Sequence, residues 1–172
     1  SHTEWLFQEA PFTGGPFVAQ QNIEEQTTNL ITNGDMEIDG HWTTVGTPSL
    51  SEQSDERAYE GSYSWHIASP DEDDGIQSDS FTTETEATYR LRFRVFTAAE
   101  KFNLNVHEGS GTWIFEETIM NVPVNEWTEY ERYWVETSGG TGAYVQFLTA
   151  LTAEVEGYDS QYPPAQSSVY VK

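Results

Sequence analysis

The sequence contains no cysteine. That excludes a disulfide framework, a cysteine-based zinc or iron–sulfur centre and a thiolate nucleophile. Positive charge is scarce: 7 Lys+Arg stand against 29 Asp+Glu in 172 residues, a formal net charge of -22. A field of that sign repels phosphate backbones and anionic lipid, which argues against nucleic-acid and membrane-surface partners. No apolar run approaches the ~20 residues of a transmembrane helix, so no membrane insertion is expected. The four histidines, His2, His41, His66 and His107, show no metal-ligand spacing. There is no Gly-x-Ser-x-Gly elbow, no His-Glu-x-x-His and no glycine-rich phosphate loop.

Aromatic residues, by contrast, make up 14% of the chain, and charged residues only 21%. That supplies core material for a folded domain rather than a disordered polyelectrolyte. The length suits one domain with an extension. A carboxylate-rich surface is typical of proteins that stay soluble at high salt, where screening relaxes self-repulsion. The expectation is a marine or salt-tolerant secreted protein, extracellular or on a bacterial surface. No signal peptide is visible after Ser1-His2, and a secreted origin implies that one has been removed.

Almost nothing in the chain has helical period. In residues 89–96, Tyr89, Leu91, Phe93 and Val95 alternate with Arg90, Arg92, Arg94 and Phe96. In 102–107, Phe102, Leu104 and Val106 alternate with Asn103, Asn105 and His107; in 143–148, Ala143, Val145 and Phe147 alternate with Tyr144, Gln146 and Leu148. Further strand-like runs occupy 62–68, 112–120, 127–136 and 167–171, separated by turn signals such as Gly109-Ser110-Gly111 and Ser138 to Gly142. Short alternating strands with one polar face each predict an all-β sandwich of two antiparallel sheets. Residues 1–28 read differently: Trp5, Leu6, Phe7, Phe12, Phe17 and Val18 are scattered among Pro and Gly, as in an extension packed onto the domain.

From residue 29 the order of motifs becomes specific. Asn29-Leu30-Ile31-Thr32-Asn33-Gly34-Asp35-Met36-Glu37 is followed by Trp42, by Gly61-Ser62-Tyr63-Ser64-Trp65-His66-Ile67, by Tyr89-Arg90-Leu91, by Glu126-Trp127-Thr128-Glu129-Tyr130 and by Val169-Tyr170-Val171. This series resembles the carbohydrate-binding modules of families 4, 9 and 22, over about residues 29–172. The resemblance implies a β-jelly-roll sandwich that binds polysaccharide, without catalysis, in a groove on its concave sheet. It also implies one module of a larger multidomain protein, accessory to a glycan-degrading enzyme or part of a surface glycan-binding protein.

Sugar recognition needs aromatic rings for the C–H face of a pyranose and planar polar groups for its hydroxyls. With strands 89–96, 102–107 and 143–148 in the concave sheet, the candidates are Arg92, Arg94, Phe96, Asn105, His107, Trp113, Tyr144 and Gln146, beside Asn103 and Leu148. Arg94 stands where relatives often carry a groove aromatic. Three arginines at alternate positions share a sheet face and suit carboxylate or sulfate. The ligand expectations are therefore a β-glucan, a xylan-like chain or an acidic marine polysaccharide. The competing reading pairs the arginines with Glu129 and Glu131. Trp42, Trp65, Trp127 and Trp134 fall at core positions of the resemblance, His66 on an exposed face, and Tyr158 and Tyr162 flank a loop that walls a groove or packs on the surface.

The resemblance also implies a structural calcium ion near the chain ends, held by Asp35, Glu37 and the backbone around Ser62; Lys172 falls where an Asp is expected. Asp71-Glu72-Asp73-Asp74-Gly75 reads first as a solvated acidic loop and second as half of a calcium loop. A structural or cell-surface interaction sandwich without glycan binding is the alternative function. An autonomous hydrolase using Glu116, Glu117, Glu129 or Glu131 ranks third, because chance supplies carboxylate pairs in so acidic a chain.

Overall fold

In the computed structural model, which describes residues 28–109, 111–150 and 167–171, the alternating runs become antiparallel strands. In chain order these are β1 (Trp42–Val45), β2 (Leu50–Ser54), β3 (Ser64–Ser69), β4 (Gly75–Ser78), β5 (Phe81–Thr83), β6 (Thr88–Thr97), β7 (Lys101–His107), β8 (Trp113–Met120), β9 (Trp127–Val135), β10 (Gly140–Thr149) and β11 (Ser167–Val171). One sheet runs β1-β4-β10-β7-β8, with β5 also paired to β10; the other runs β2-β3-β11-β6-β9. The all-β, two-sheet sandwich expected from the alternation is what forms. The expected strands from residue 62 onward match β3 and β6 to β11 within a few residues. Strands β1, β2, β4 and β5, of three to five residues, are too short to show a period. The proposed extension up to Thr27, the loop with Tyr158 and Tyr162, and Lys172 lie outside the described residues.

The sheets face each other through the apolar half of each strand. Phe93 of β6 lies 4.9 Å, ring centre to centre, from Phe147 of β10 and 6.1 Å from Phe102 of β7. Ile67, Ile76, Val95, Leu104, Val106 and Val145 fill the same layer with no exposed surface. Trp42 and Trp65 join the core as expected, and Trp134 packs against it. Trp127 does not. It pairs with Phe96 on the outer side of β9, because its strand turns Thr128, Tyr130, Arg132 and Trp134 inward.

Two polar arrangements hold the frame. The Asn33 turn has positive φ at Asn33 and Met36, a conformation that Asn tolerates better than most residues. Asn33 Nδ2 donates to the carbonyls of Ile38 (2.6 Å) and Gly40 (3.0 Å), and its Oδ1 accepts from Ile38 N at 3.0 Å. Trp42 Nε1 donates to its carbonyl at 3.1 Å. The Asn-Gly of the opening is thus a local tie between the entering chain and the core tryptophan. At the open edge, Arg132 of β9 grips Glu117 of β8 with two parallel bonds of 2.7 and 2.8 Å across the two sheets. This bidentate pair lowers the Glu117 pKa, chiefly through the hydrogen bond from Arg132, against the opposing effect of burial.

The acidic segment is more structured than a solvated loop. Asp74 is buried; it accepts from Ser69 Oγ and, at 2.8 Å, from Thr47 N. Asp73, at φ 62°, accepts from Asn103 Nδ2 at 2.8 Å. The segment then enters β4 directly at Gly75. Local charge hides this, because both carboxylates act as acceptors for distant parts of the chain.

Asn33→Ala removes three side-chain hydrogen bonds and is expected to cost about 2 kcal/mol in urea unfolding. Glu117→Gln is expected to cost about 1 kcal/mol at neutral pH. Because the folded-state pKa of Glu117 is lowered, its contribution is present above the ordinary carboxylate range and disappears as pH falls through the lowered value. The mutant and wild-type stabilities should therefore converge in acid, which paired unfolding curves at about pH 7 and about pH 3 will check.

Candidate functional site

The outer face of the β1-β4-β10-β7-β8 sheet follows from what its strands bury. Phe102, Leu104 and Val106 point inward, so Asn103, Asn105 and His107 point out; Val145 and Phe147 do the same for Tyr144, Gln146 and Leu148. Register places Tyr144 beside His107 and Gln146 beside Asn105 and Gln77. Gln146 Nε2 donates to Gln77 Oε1 at 2.9 Å, and Asn105 Nδ2 donates to Gln146 Oε1 at 3.2 Å. The three amides form a ladder across β4, β10 and β7. Asn103 extends the polar surface, donating to Asp73 and accepting from Thr118 Oγ1 at 2.8 Å.

One end of this face is aromatic. The His107 ring stacks on Tyr144 at 4.5 Å with an interplanar angle of 7°. Trp113 stands edge-on to both, 4.9 Å from His107 and 5.9 Å from Tyr144. Simple alternation would put Trp113 inward with Phe115. A register shift between Val106 and His107 brings Trp113, not Ile114, opposite His107. Such a bulge re-aims a side chain, and Trp113 is 39% exposed as a result. Burial raises the Tyr144 pKa, so its hydroxyl stays a neutral donor and acceptor.

About 7 Å along the strands from that cluster, a recess of about 340 Å³ is lined by Val45, Asp73, Asn103, Asn105, Glu116, Glu117, Thr118, Gln146 and Leu148. Asn105 and Gln146 of the amide ladder line it. Its carboxyl groups are Asp73, Glu116 and Glu117, the last engaged by Arg132. The face thus combines one exposed and two half-buried rings with planar amides and carboxylate acceptors, and the polar groups are the donor–acceptor set that sugar hydroxyls require.

The expected single surface divides in two. Asn105, His107, Trp113, Tyr144 and Gln146 come together on this sheet. Arg92, Arg94 and Phe96 do not join them, because β6 belongs to the opposite sheet, between β11 and β9. There Arg94 Nη2 reaches Glu129 Oε2 at 2.7 Å, Arg92 Nε lies 3.7 Å from Glu129, and Arg90 Nε lies 3.6 Å from Glu131. Cross-strand pairing with Glu129 and Glu131 is therefore what these arginines do. Arg94 also covers the Tyr59 ring at 3.9 Å, and Arg57 covers Phe96 at 4.5 Å. Phe96 is buried under that cover and packs on Trp127. His66, on the same outer face, is half-buried rather than exposed; burial pushes its pKa down, against the opposing charges of Glu56 and Glu52. The amide ladder was missed in part: Gln77 carried no signal, because its strand is four residues long.

Of the residues expected to bind calcium, Glu37 and Ser62 are brought together. Glu37 accepts the backbone N–H of Ser62 with both oxygens, at 3.0 and 3.1 Å, and that of Tyr63 at 3.3 Å. Ser62 therefore presents an amide hydrogen to the carboxylate, and Asp35 is exposed. The Glu37 carboxylate ties the opening motif to the Gly61-Ser62 turn.

No family model matches the sequence. No curated protein matches it either. Solved structures do match. A family 16 carbohydrate-binding module superposes with a TM-score of 0.58 at 16% identity, covering 83% of this chain and 95% of that one. A family 61 module in complex with β-1,4-galactotriose gives 0.56 at 14% identity, covering 85% and 99%. The second family 22 xylan-binding domain of Paenibacillus barcinonensis Xyn10C gives 0.52 at 15% identity, covering 82% and 92%. At these identities it is the architecture that is shared: the chain has the β-jelly-roll sandwich fold of carbohydrate-binding modules.

Proposed function

We propose that this chain is a non-catalytic glycan-binding module, and that a neutral polysaccharide lies across the outer face of β4, β10, β7 and β8. The observation that carries the reading is the joining of an aromatic cluster (Trp113, His107, Tyr144) to an amide ladder (Asn105, Gln146, Gln77) on one sheet face. The exposed Trp113 ring and the half-buried Tyr144 ring beside it suit the C–H face of a pyranose. The ladder offers donors and acceptors at fixed positions, and Asp73 and Glu116 add acceptors for hydroxyl groups.

Charge selects between ligands. An anionic polysaccharide would meet Asp73 and Glu116 in the recess without a paired cation there. The arginines that suggested acidic groups sit on the opposite sheet, neutralised by Glu129 and Glu131. A β-glucan or xylan-like chain fits better than a sulfated or uronic one. Structures of the same fold include a module bound to β-1,4-galactotriose and a xylan-binding domain, which supports this choice. Such modules serve secreted glycan-degrading proteins, and an extracellular setting as one part of a larger protein follows from the reading.

Affinity electrophoresis against neutral and acidic polysaccharides tests this. Retardation by a neutral β-linked polysaccharide is expected, with no release of reducing sugar. Trp113→Ala and Tyr144→Ala should each weaken binding about tenfold or more, equivalent to about 1.4 kcal/mol. Gln146→Ala should weaken it by a similar factor through the unpaired amides it leaves. Arg92→Ala and Arg94→Ala should leave affinity unchanged. Binding confined to acidic polysaccharides, or lost in the arginine variants, would overturn the assignment; no binding to any polysaccharide would favour a structural sandwich.

A further inference from the structure

Two carboxylates are turned inward at one end of the sandwich. Glu108 continues the inward row Phe102, Leu104, Val106 of β7, and Glu136 continues the inward row Tyr130, Arg132, Trp134 of β9. These rows oppose each other level by level. Phe102 meets Tyr130 at 5.6 Å between ring centres. Glu117, the strand neighbour of Leu104, grips Arg132. Phe115, the neighbour of Val106, meets Trp134 at 6.2 Å. Glu108 and Glu136 come next on the two rows, and the Thr137 hydroxyl, beside Glu136 in the chain, donates to Glu108 Oε2 at 2.8 Å.

Both acids are shut away from solvent: Glu136 is 0% and Glu108 4% exposed. Neither oxygen of Glu136 has a hydrogen-bond partner among the described residues. Thr83, at the inward end of β5, is 4% exposed, and its Oγ1 is also unpartnered there. The segments that carry these oxygens are locked together. A Cβ on Gly109 or Gly140 would lie 2.5 to 2.6 Å from the other's backbone, and one on Gly139 would lie 2.6 Å from Thr85 N. The glycine-rich stretch 138–142 is thus a three-way backbone junction that seals this end, besides being a turn.

A buried carboxylate with neither oxygen bonded is among the costliest groups a core can contain, and a second acid at the same end adds repulsion. Native structures retain such groups when water, an ion or a functional demand compensates them. The donors here are all oxygen: two carboxylates and a hydroxyl, on facing sheets. That set selects a hard cation over zinc or another metal that prefers nitrogen and sulfur. We propose that Glu108 and Glu136 form a buried site for a calcium-type divalent cation, with Thr83 Oγ1 as a third oxygen from the adjoining hairpin. Its place is the end of the sandwich beside Trp134 and Trp113, away from the Asn33–Glu37 opening motif. The cation would join β7 of one sheet to β9 of the other, next to the aromatic end of the binding face.

The test is thermal unfolding of the whole chain in excess calcium against chelator, with Glu136→Gln, Glu108→Gln and Glu37→Gln. Calcium is expected to raise the wild-type Tm by roughly 5 °C or more at large excess. The shift should vanish in Glu136→Gln and Glu108→Gln and persist in Glu37→Gln. Terbium ion, used as a calcium-sized probe on the wild-type chain, should luminesce on tryptophan excitation and lose that signal when calcium is added. This readout needs no variant to fold. A wild-type Tm indifferent to calcium, together with no calcium-displaceable terbium signal, would overturn the site. So would an undiminished calcium shift in Glu136→Gln or its loss only in Glu37→Gln.

Discussion

The packing of Phe93 against Phe147 and Phe102 decides how the two sheets meet, and most of the molecule follows from it. Phe93 commits the odd positions of β6 to the core. Phe102 and Phe147 do the same for the even positions of β7 and the odd positions of β10. Strand pleating leaves no freedom after that. Asn105, His107, Tyr144 and Gln146 must stand on one outer face, and Arg90, Arg92 and Arg94 on the other. A one-residue slip would bury amides in β7 or β10, or arginines in β6, and expose phenylalanines, so burial fixes both outer faces.

The same constraint changes the meaning of the charge. A net charge of -22 suggests that any cluster of arginines marks an anionic ligand. In the fold those arginines face glutamates across an antiparallel ladder, where β6 and β9 are in register: Arg92 opposite Glu131 and Arg94 opposite Glu129. Their cations neutralise their own sheet. The opposite sheet carries a polar, amide-rich surface, with Asp73 and Glu116 at its recess. The acidic residues also divide by role: Asp74 and Glu37 act as acceptors for backbone and hydroxyl donors, Glu117 clamps the sheets together through Arg132, and Glu108 and Glu136 turn inward.

Irregularities place the chemistry. The bulge opposite His107 lifts Trp113 out of the core row and onto the face. The left-handed backbone at Asp73 aims its carboxylate at Asn103. The glycine junction of Gly109 with Gly140 draws two strand ends into contact near the buried Glu108 and Glu136. Regular strands supply the surface, and these departures from regularity give it rings, a boundary and a sealed end.

Much of the fold was legible in the residues. Strict alternation in 89–96, 102–107 and 143–148 named both the strands and their inward faces correctly, because a two-sided sheet writes its burial into a period of two. The ordered motifs from Asn33-Gly34 onward pointed to the jelly roll. Residues without a period left no such trace: Gln77 lies in a strand of four residues, and Asp74 is buried through partners 27 and 5 residues away. Which strands share a sheet was likewise not written locally. Alternation says that Arg94 and Gln146 both point outward, but not that they point outward on opposite sides of the molecule. That separation is a property of strand order, β6 beside β9 and β11, β10 beside β7 and β4. Strand order is set by long-range pairing, so only the tertiary structure decided which outward residues form one site.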